Sequence, residues 1–360
     1  MDFYYNSMRY KKHELQGNAQ TVLGPISVDE LGITLCHEHC LFDGTCDFVE
    51  PKEKAARKIA NEPLSFKNVS YIRYGRFNRD DMQLTDENQA INELLPFKQA
   101  GGRTIVDATN VNLGRDPLAL KRISLATGLN IVMGSGYYTE KGQDLDLMEK
   151  RTEEDIAEEI VRDIFEGVGD TGVRSGIIGE IGCSWPLADC EKKVLRASGL
   201  AQKESGAPMH VHPGRFEEAP AEIIKILKEV GADLSRIAID HFERTVFEAG
   251  NRYAIADSGC YLEYDLWGIE GYFNESFAVL DIPNDARRIA QIKDLIAHGY
   301  GSQILISHDI CQKCHYMAYG GHGYNHILDN VVPAMRSREM TERQINDLLI
   351  ENPKRFLALG

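Results

Sequence analysis

Eight short apolar runs, each followed by enough chain for a crossover helix, constrain this sequence more than any other feature. They are Ile33–Cys36, Arg103–Asp107, Asn130–Gly134, Gly176–Ile181, Pro208–His212, Arg236–His241, Cys260–Glu263 and Gln303–His308. Parallel strands need long connections, so this alternation predicts a parallel sheet with helices between its strands. Eight such units favour a single closed (β/α)8 TIM barrel of α/β class over an open doubly wound sheet. The connecting segments carry their own signals. Thr152-Glu-Glu-Asp155 is a capping box, and Ile156, Ile160 and Ile164 follow it on one face. Glu191–Glu204 and Ala221–Val230 read as helices, the second stopping at Gly231, and Thr341–Leu359 reads as a closing helix. Residues 44–83 fit no unit and read as a long excursion over the first strand. The 360 residues suit one barrel over 18–360, with 1–17 as a mobile N-terminal extension.

Lys and Arg number 40 against 55 Asp and Glu, a net charge of −15. Such a surface repels phosphate backbones and anionic headgroups, which excludes general nucleic-acid or membrane-surface binding. A small anionic substrate is not excluded, because a local pocket can oppose the global field. The first 18 residues lack the basic-then-apolar order of an export signal, and no apolar stretch approaches the ~18 residues of a spanning helix. The eight cysteines are few for the length and form no dense framework, so they read as reduced thiols in the cytoplasm. Asn68-Val-Ser70 and Asn274-Glu-Ser276 fit the glycosylation pattern but would not meet the machinery there.

The C-terminal strand ends of such a barrel form its reaction face. His37 and His39 stand at the first, Glu180 in the fourth, His212 at the fifth, His241 at the sixth and Asp309 just after the eighth. Residues i and i+2 of a strand share a face, so His37 and His39 can reach one ion. A single histidine at a strand end is usually just hydrogen-bonded. Four imidazoles and two carboxylates converging from five strand ends are instead the donor set for a pair of divalent ions. His210 is the weaker candidate, suited to a supporting place.

These residues also carry a resemblance. Gly32-Ile-Thr-Leu-Cys-His-Glu-His39 resembles the opening signature of the phosphotriesterase family of the amidohydrolase superfamily. Gly176-Ile-Ile-Gly-Glu-Ile-Gly-Cys-Ser184, Ile237-Ala-Ile-Asp-His241, Ile304-Leu-Ile-Ser-His-Asp309 and Glu351-Asn-Pro-Lys-Arg-Phe356 match its later motifs in order. More narrowly, Glu180-Ile-Gly-Cys-Ser-Trp-Pro186, His212-Pro-Gly-Arg215, Tyr261-Leu-Glu-Tyr-Asp265 and Tyr319-Gly-Gly-His-Gly-Tyr324 resemble the animal phosphotriesterase-related branch. The resemblance implies that His37, His39 and Asp309 hold a buried metal, that His212 and His241 hold an exposed one, and that Glu180 bridges both. Glu180 stands where the pesticide-cleaving members carry a carboxylated lysine. A carboxylate offers the same two-oxygen fork, so bridging survives. Glu243-Arg244 stands where those enzymes carry acidic proton-relay residues, so their exit route does not transfer.

The branch resemblance implies an amide hydrolase acting on a small anionic N-acyl compound, N-acetyltaurine first, giving acetate and taurine. Two ions roughly 3.5–4 Å apart would activate a bridging hydroxide for attack on the acyl carbon. Asp309 would take its proton and pass it to the leaving nitrogen. Zinc is the default metal for His/carboxylate ligands. Arg215 leads the candidates for the sulfonate, because a guanidinium fork suits oxyanions, with Arg244, Tyr137 and Tyr264 behind it. His322 and Tyr324 are candidates for a lid. The alternatives are a lactonase or phosphotriesterase on the same centre, and a non-catalytic small-molecule binding protein; a homodimer is compatible with either. Two other patterns are discounted: Gly167-Val-Gly-Asp-Thr-Gly172 follows a helix rather than a strand, and Cys311-Gln-Lys-Cys-His315 is a packed loop at the barrel mouth.

Overall fold

The computed structural model describes residues 15–272 and 281–360. Eight strands line the barrel: β1 (Thr34–Glu38), β2 (Thr104–Asp107), β3 (Asn130–Met133), β4 (Ile178–Gly182), β5 (Met209–His212), β6 (Ile237–Ile239), β7 (Tyr261–Tyr264) and β8 (Ile304–Ile306). Every neighbouring ladder among them is parallel, β1–β2–β3 in one run and β4–β5–β6–β7–β8 in the other. The two runs are joined by single hydrogen bonds. Gly176 N–H donates to Met133 O (2.9 Å) and Gly179 N–H to Ser135 O (2.5 Å), while Asp309 N–H reaches His37 O (3.2 Å) and closes the ring. The predicted barrel is what forms, with no strand limit moved by more than two residues.

The crossovers are α1 (Glu87–Gln99), α2 (Pro117–Thr127), α3 (Glu153–Phe165), α4 (Asp189–Ser205), α5 (Ala219–Val230), α6 (Ala249–Ala256) and α7 (Asp285–Ala297). Thr152 caps α3 in the predicted capping box, and Gly231 ends α5 in the left-handed conformation at φ 78°. The closing stretch departs from the expected plain helix. It runs helical over Glu342–Asn346 and Asn352–Leu357, but the turn between them, Asp347–Glu351, widens to π geometry.

An antiparallel hairpin, Asn18–Thr21 with Gly24–Ser27, and the C-terminal Phe356 and Leu357 plug the lower end of the barrel. There they meet Cys36, Val106, Val132, Ile177, Ala238, Tyr261 and Leu305 in an apolar cluster. Leu15 is buried and Gly17 N–H donates to Leu359 O (2.8 Å), so the body of the fold already includes the end of the expected 1–17 extension. The rest of that extension and the Asn274 sequon lie outside the described residues.

Residues 44–83 do leave the barrel. Phe42–Asp43 pairs antiparallel with Gln83–Leu84 at the foot of the excursion, and between them lie the short helices Lys54–Ala60 and Val69–Ile72. Leu64, Val69 and Ile72 pack with Cys314, and Arg73 donates to Cys314 O (2.9 Å). The excursion thus spans from the first strand to the loop after the eighth, across the mouth. All eight cysteines are free thiols. Among the described residues no helix is long and apolar enough to cross a membrane.

Candidate metal centre

Four overlapping groups of possible metal donors form among the described residues. Two of them join His37 to Asp240 with His210 and to Asp265 with His241, and the other two hold the six residues singled out in the sequence. Of the latter, His37, His39 and Asp309 make one and Glu180, His212 and His241 the other, each with its donor atoms within 4.8 Å of one another. Glu180 lies across both. Its Oε1 is 3.4 Å from His39 Nε2 and 3.9 Å from His37 Nε2, while its Oε2 is 2.9 Å from His212 Nδ1 and 3.6 Å from His241 Nε2. Asp309 divides in the same way, Oδ1 at 3.2 Å from His39 Nε2 and Oδ2 at 3.6 Å from His241 Nδ1.

The backbone is bent to achieve this. Only three non-glycine residues among those described have positive φ, and two of them are His241 (49°) and Asp309 (52°). L-residues avoid that region, and such strain gathers at functional sites. Glu180 depends on its neighbour as well. A Cβ built on Gly179 (φ +109°) would meet His210 O at 2.3 Å, so only glycine lets the fourth strand approach the fifth there.

Three of the four histidine rings, those of His37, His39 and His241, have an acceptor behind them. His39 Nδ1 lies 2.8 Å from Thr109 Oγ1, whose own hydrogen goes to Leu41 O (2.9 Å). The threonine oxygen therefore accepts, and His39 keeps the lone pair of Nε2 for the centre. Asp265 grips His241 twice, taking its backbone N–H (3.0 Å) and its Nδ1–H (2.9 Å). His37 Nδ1 faces Asp240 at 3.4 Å and Asp265 at 3.6 Å, and Asp240 also takes His210 Nδ1–H at 2.7 Å. Carboxylates behind metal-binding histidines fix the tautomer and raise ligand basicity. His210 is thereby held through Nδ1 by Asp240, its buried Nε2 has no hydrogen-bond partner, and with His37 and Asp240 it forms a further cluster of possible donors.

The electrostatics suit positive charge. Burial works against charging His39 and His241, yet Asp309 and Glu180 beside the first and Asp265 beside the second raise both to about 9. Burial would raise Glu180, but hydrogen bonds from His212 and His241 hold it well below the usual carboxylate range, and Asp309 is held down by His241 and His39. His212 is the exception, pushed down to about 4 chiefly by burial. The buried Nε2 atoms of His37 and His39 have no hydrogen-bond partner. Orphaned lone pairs converging on two carboxylates are what divalent cations would satisfy, so the donor set fits them.

A cavity of about 190 Å³ opens over the centre. That is smaller than the ~300–1,000 Å³ of drug-sized pockets and suits a small substrate. Arg215 and Arg244 both line it, as do Asp47, Arg73, Arg76 and Phe77 from the excursion, which the sequence did not point to. Neither predicted tyrosine lines it. Tyr137 turns its hydroxyl to Glu159 (2.9 Å) and Arg151, and Tyr264 is sealed in the core. Tyr138 lines it instead, with its hydroxyl 3.5 Å from His212 Nδ1. The expected lid does not form from His322 and Tyr324. Tyr324 is buried and donates to His39 O (2.7 Å), while His322 stacks on His308 and His315.

The chain matches the phosphotriesterase family over residues 17–357. It is 41% identical over 364 residues to the N-acetyltaurine hydrolase of Dictyostelium discoideum, covering 95% of this chain and 98% of that protein. Against the human N-acetyltaurine hydrolase it is 40% identical over 346 residues, covering 96% and 99%. Among solved structures, a resiniferatoxin-binding protein from Rhodobacter sphaeroides superposes with a TM-score of 0.91 at 35% identity, over 95% of each chain. With the barrel, the strand-end histidines and these likenesses in agreement, the chain belongs to the phosphotriesterase family.

Proposed function

We propose that this protein is a binuclear metal-dependent amide hydrolase that cleaves N-acetyltaurine to acetate and taurine in the cytoplasm, with zinc as its metal. One observation carries the reading most: the two oxygens of Glu180 divide between two histidine pairs, as a ligand shared by two cations requires. Near-full-length relatives that are N-acetyltaurine hydrolases support the substrate.

In this reading His37, His39 and Asp309 hold one cation, His212 and His241 the other, and Glu180 both. When bound, the cations activate a water and polarise the acyl oxygen. The protein's own groups do the rest. Asp309 is held ionised and lines the cavity, so it can receive the proton of the attacking water. As the new C–O bond forms and the C–N bond breaks, Asp309 returns that proton to the amide nitrogen, which leaves as a neutral amine. Tyr138 lines the cavity beside His212 and can donate its hydroxyl hydrogen to a bound acyl group, and Arg215 and Arg244 supply positive charge for the sulfonate.

The test is taurine release from N-acetyltaurine by zinc-loaded protein, with chelator-stripped protein and Asp309→Asn as controls. Metal-dependent release that falls by orders of magnitude in the variant is expected. Zinc bound without release would refute the substrate and move the search to lactones and phosphotriesters.

A further inference from the structure

Arg244, a buried cation in the cavity (4% exposed), feels the charges of Asp265, Asp309 and Glu180 but has no ion-pair partner among the described residues. Its side-chain contacts there are Nη1 with Thr245 Oγ1 (3.5 Å) and Nη2 with His212 Nε2 (3.2 Å). The other buried arginines have carboxylates beside them: Arg288 pairs with Glu243 (3.0 Å) and Asp285 (2.7 Å), and Arg252 reaches Asp294 (3.9 Å). A buried guanidinium without a carboxylate is costly unless an anion completes it.

The contact with His212 says when that anion is needed. His212 Nδ1 is the nitrogen that faces the centre, 2.9 Å from both Glu180 Oε2 and His241 Nε2. If Nδ1 gives its lone pair to a cation, the neutral ring carries its one hydrogen on Nε2. Nε2–H then points at Arg244, which has only hydrogens to offer. Two donors 3.2 Å apart repel each other, and a single anionic oxygen can accept from both. Without a cation the roles reverse: Nδ1–H donates to Glu180, Nε2 accepts from Arg244, and the pair is satisfied internally.

We infer that Arg244 and His212 together form the receptor for the anionic end of the substrate, and that loading the centre is what opens it. This rests on the amide-hydrolase reading for its substrate class, an N-acyl acid whose sulfonate or carboxylate sits on a short spacer. The spacer is short because half of the receptor is itself a ligand of the centre. Arg215 lines the same cavity and adds its positive charge to that of Arg244. Metal and anion binding are then positively coupled, and by linkage each tightens the other equally.

Calorimetric titration with ethanesulfonate, which cannot be hydrolysed, tests this directly. Zinc-loaded protein should bind it about tenfold or more tightly than stripped protein. Arg244→Gln should abolish that difference at unchanged zinc stoichiometry, and Arg244→Lys should restore part of it. Equal affinity in loaded and stripped wild-type protein overturns the inference without recourse to any variant. Unchanged affinity in loaded Arg244→Gln also overturns it, by placing the sulfonate on the metal itself. Coupled, Arg244-dependent binding with no hydrolysis of N-acetyltaurine would refute the substrate and leave the receptor standing; hydrolysis with Arg244-independent binding would do the reverse.

Discussion

Thr109 selects the chemistry of its neighbour without touching the cavity. Because its hydroxyl hydrogen is committed to Leu41 O, the oxygen can only accept, and the proton of neutral His39 is drawn to Nδ1. Thr109→Val keeps the shape and removes the acceptor. It is expected to weaken metal binding about tenfold or more in a competition assay against a coloured chelator, with Thr109→Ser close to wild type. Undiminished affinity would assign the ring's orientation to its packing against Phe42, 4.6 Å away. The convergence of the six candidate ligands was legible because strand ends and period-two spacing place them without knowledge of rotamers. Thr109, Asp240 and Asp265 were not, since a hydroxyl or carboxylate behind a ring leaves no mark in a spacing pattern. Tyr137 was chosen over Tyr138 for a related reason. The third strand ends at Met133, and the turn through Gly136 (φ +110°) breaks the alternation that would have told the two apart.

At the scale of elements, the strands and helices were legible because each carries a period and a cap, whereas the excursion over residues 44–83 carries neither. Its position is fixed by contacts distant in sequence. Asp81 accepts Cys314 N–H at 2.7 Å and its carbonyl accepts Lys313 N–H at 2.9 Å, binding the excursion to the loop that follows Asp309. Burial pushes the Asp81 carboxyl up from 3.8 to about 6, against the hydrogen bonds from Cys314, and its Oδ2 has no hydrogen-bond partner. Between those two values the folded protein binds more protons than the unfolded chain. Its contribution to stability is therefore full below the lower value and falls as pH rises through the window. Asp81→Asn mimics the protonated side chain and removes this slope. Melting temperatures of variant and wild type should diverge in the variant's favour between about pH 4 and about pH 7. A constant difference would mean that the carboxyl ionises as readily in the folded protein as in the unfolded chain.

Across the whole molecule, the barrel interior is divided along its axis. The lower part is the usual apolar packing, but above it lie His210, Asp240 and Glu263 and then the centre, where most barrels place branched aliphatic side chains. Glu263 is fully buried with neither carboxyl oxygen hydrogen-bonded, and burial, then the charges of Asp265 and Asp240, push it well above the carboxylate range. The upper interior thus crowds five acidic side chains (Glu263, Asp240, Asp265, Glu180 and Asp309). Before any cation binds, their mutual repulsion is offset by His37, His39 and His241, which, against burial, these neighbours hold above the usual imidazole range. Cations at the centre would take over that offset for the entire fold, since strands from opposite sides of the barrel contribute the charges. Each should stabilise the native state by about 3 kcal/mol at a hundredfold excess of free metal over its Kd. Melting temperature should consequently fall on stripping and climb with the logarithm of free zinc. Glu180→Ala, which loses the shared ligand, should hold fewer ions and climb less steeply. An identical climb in variant and wild type, at equal zinc content, would mean that both cations are held without Glu180 and that its fork does not span them.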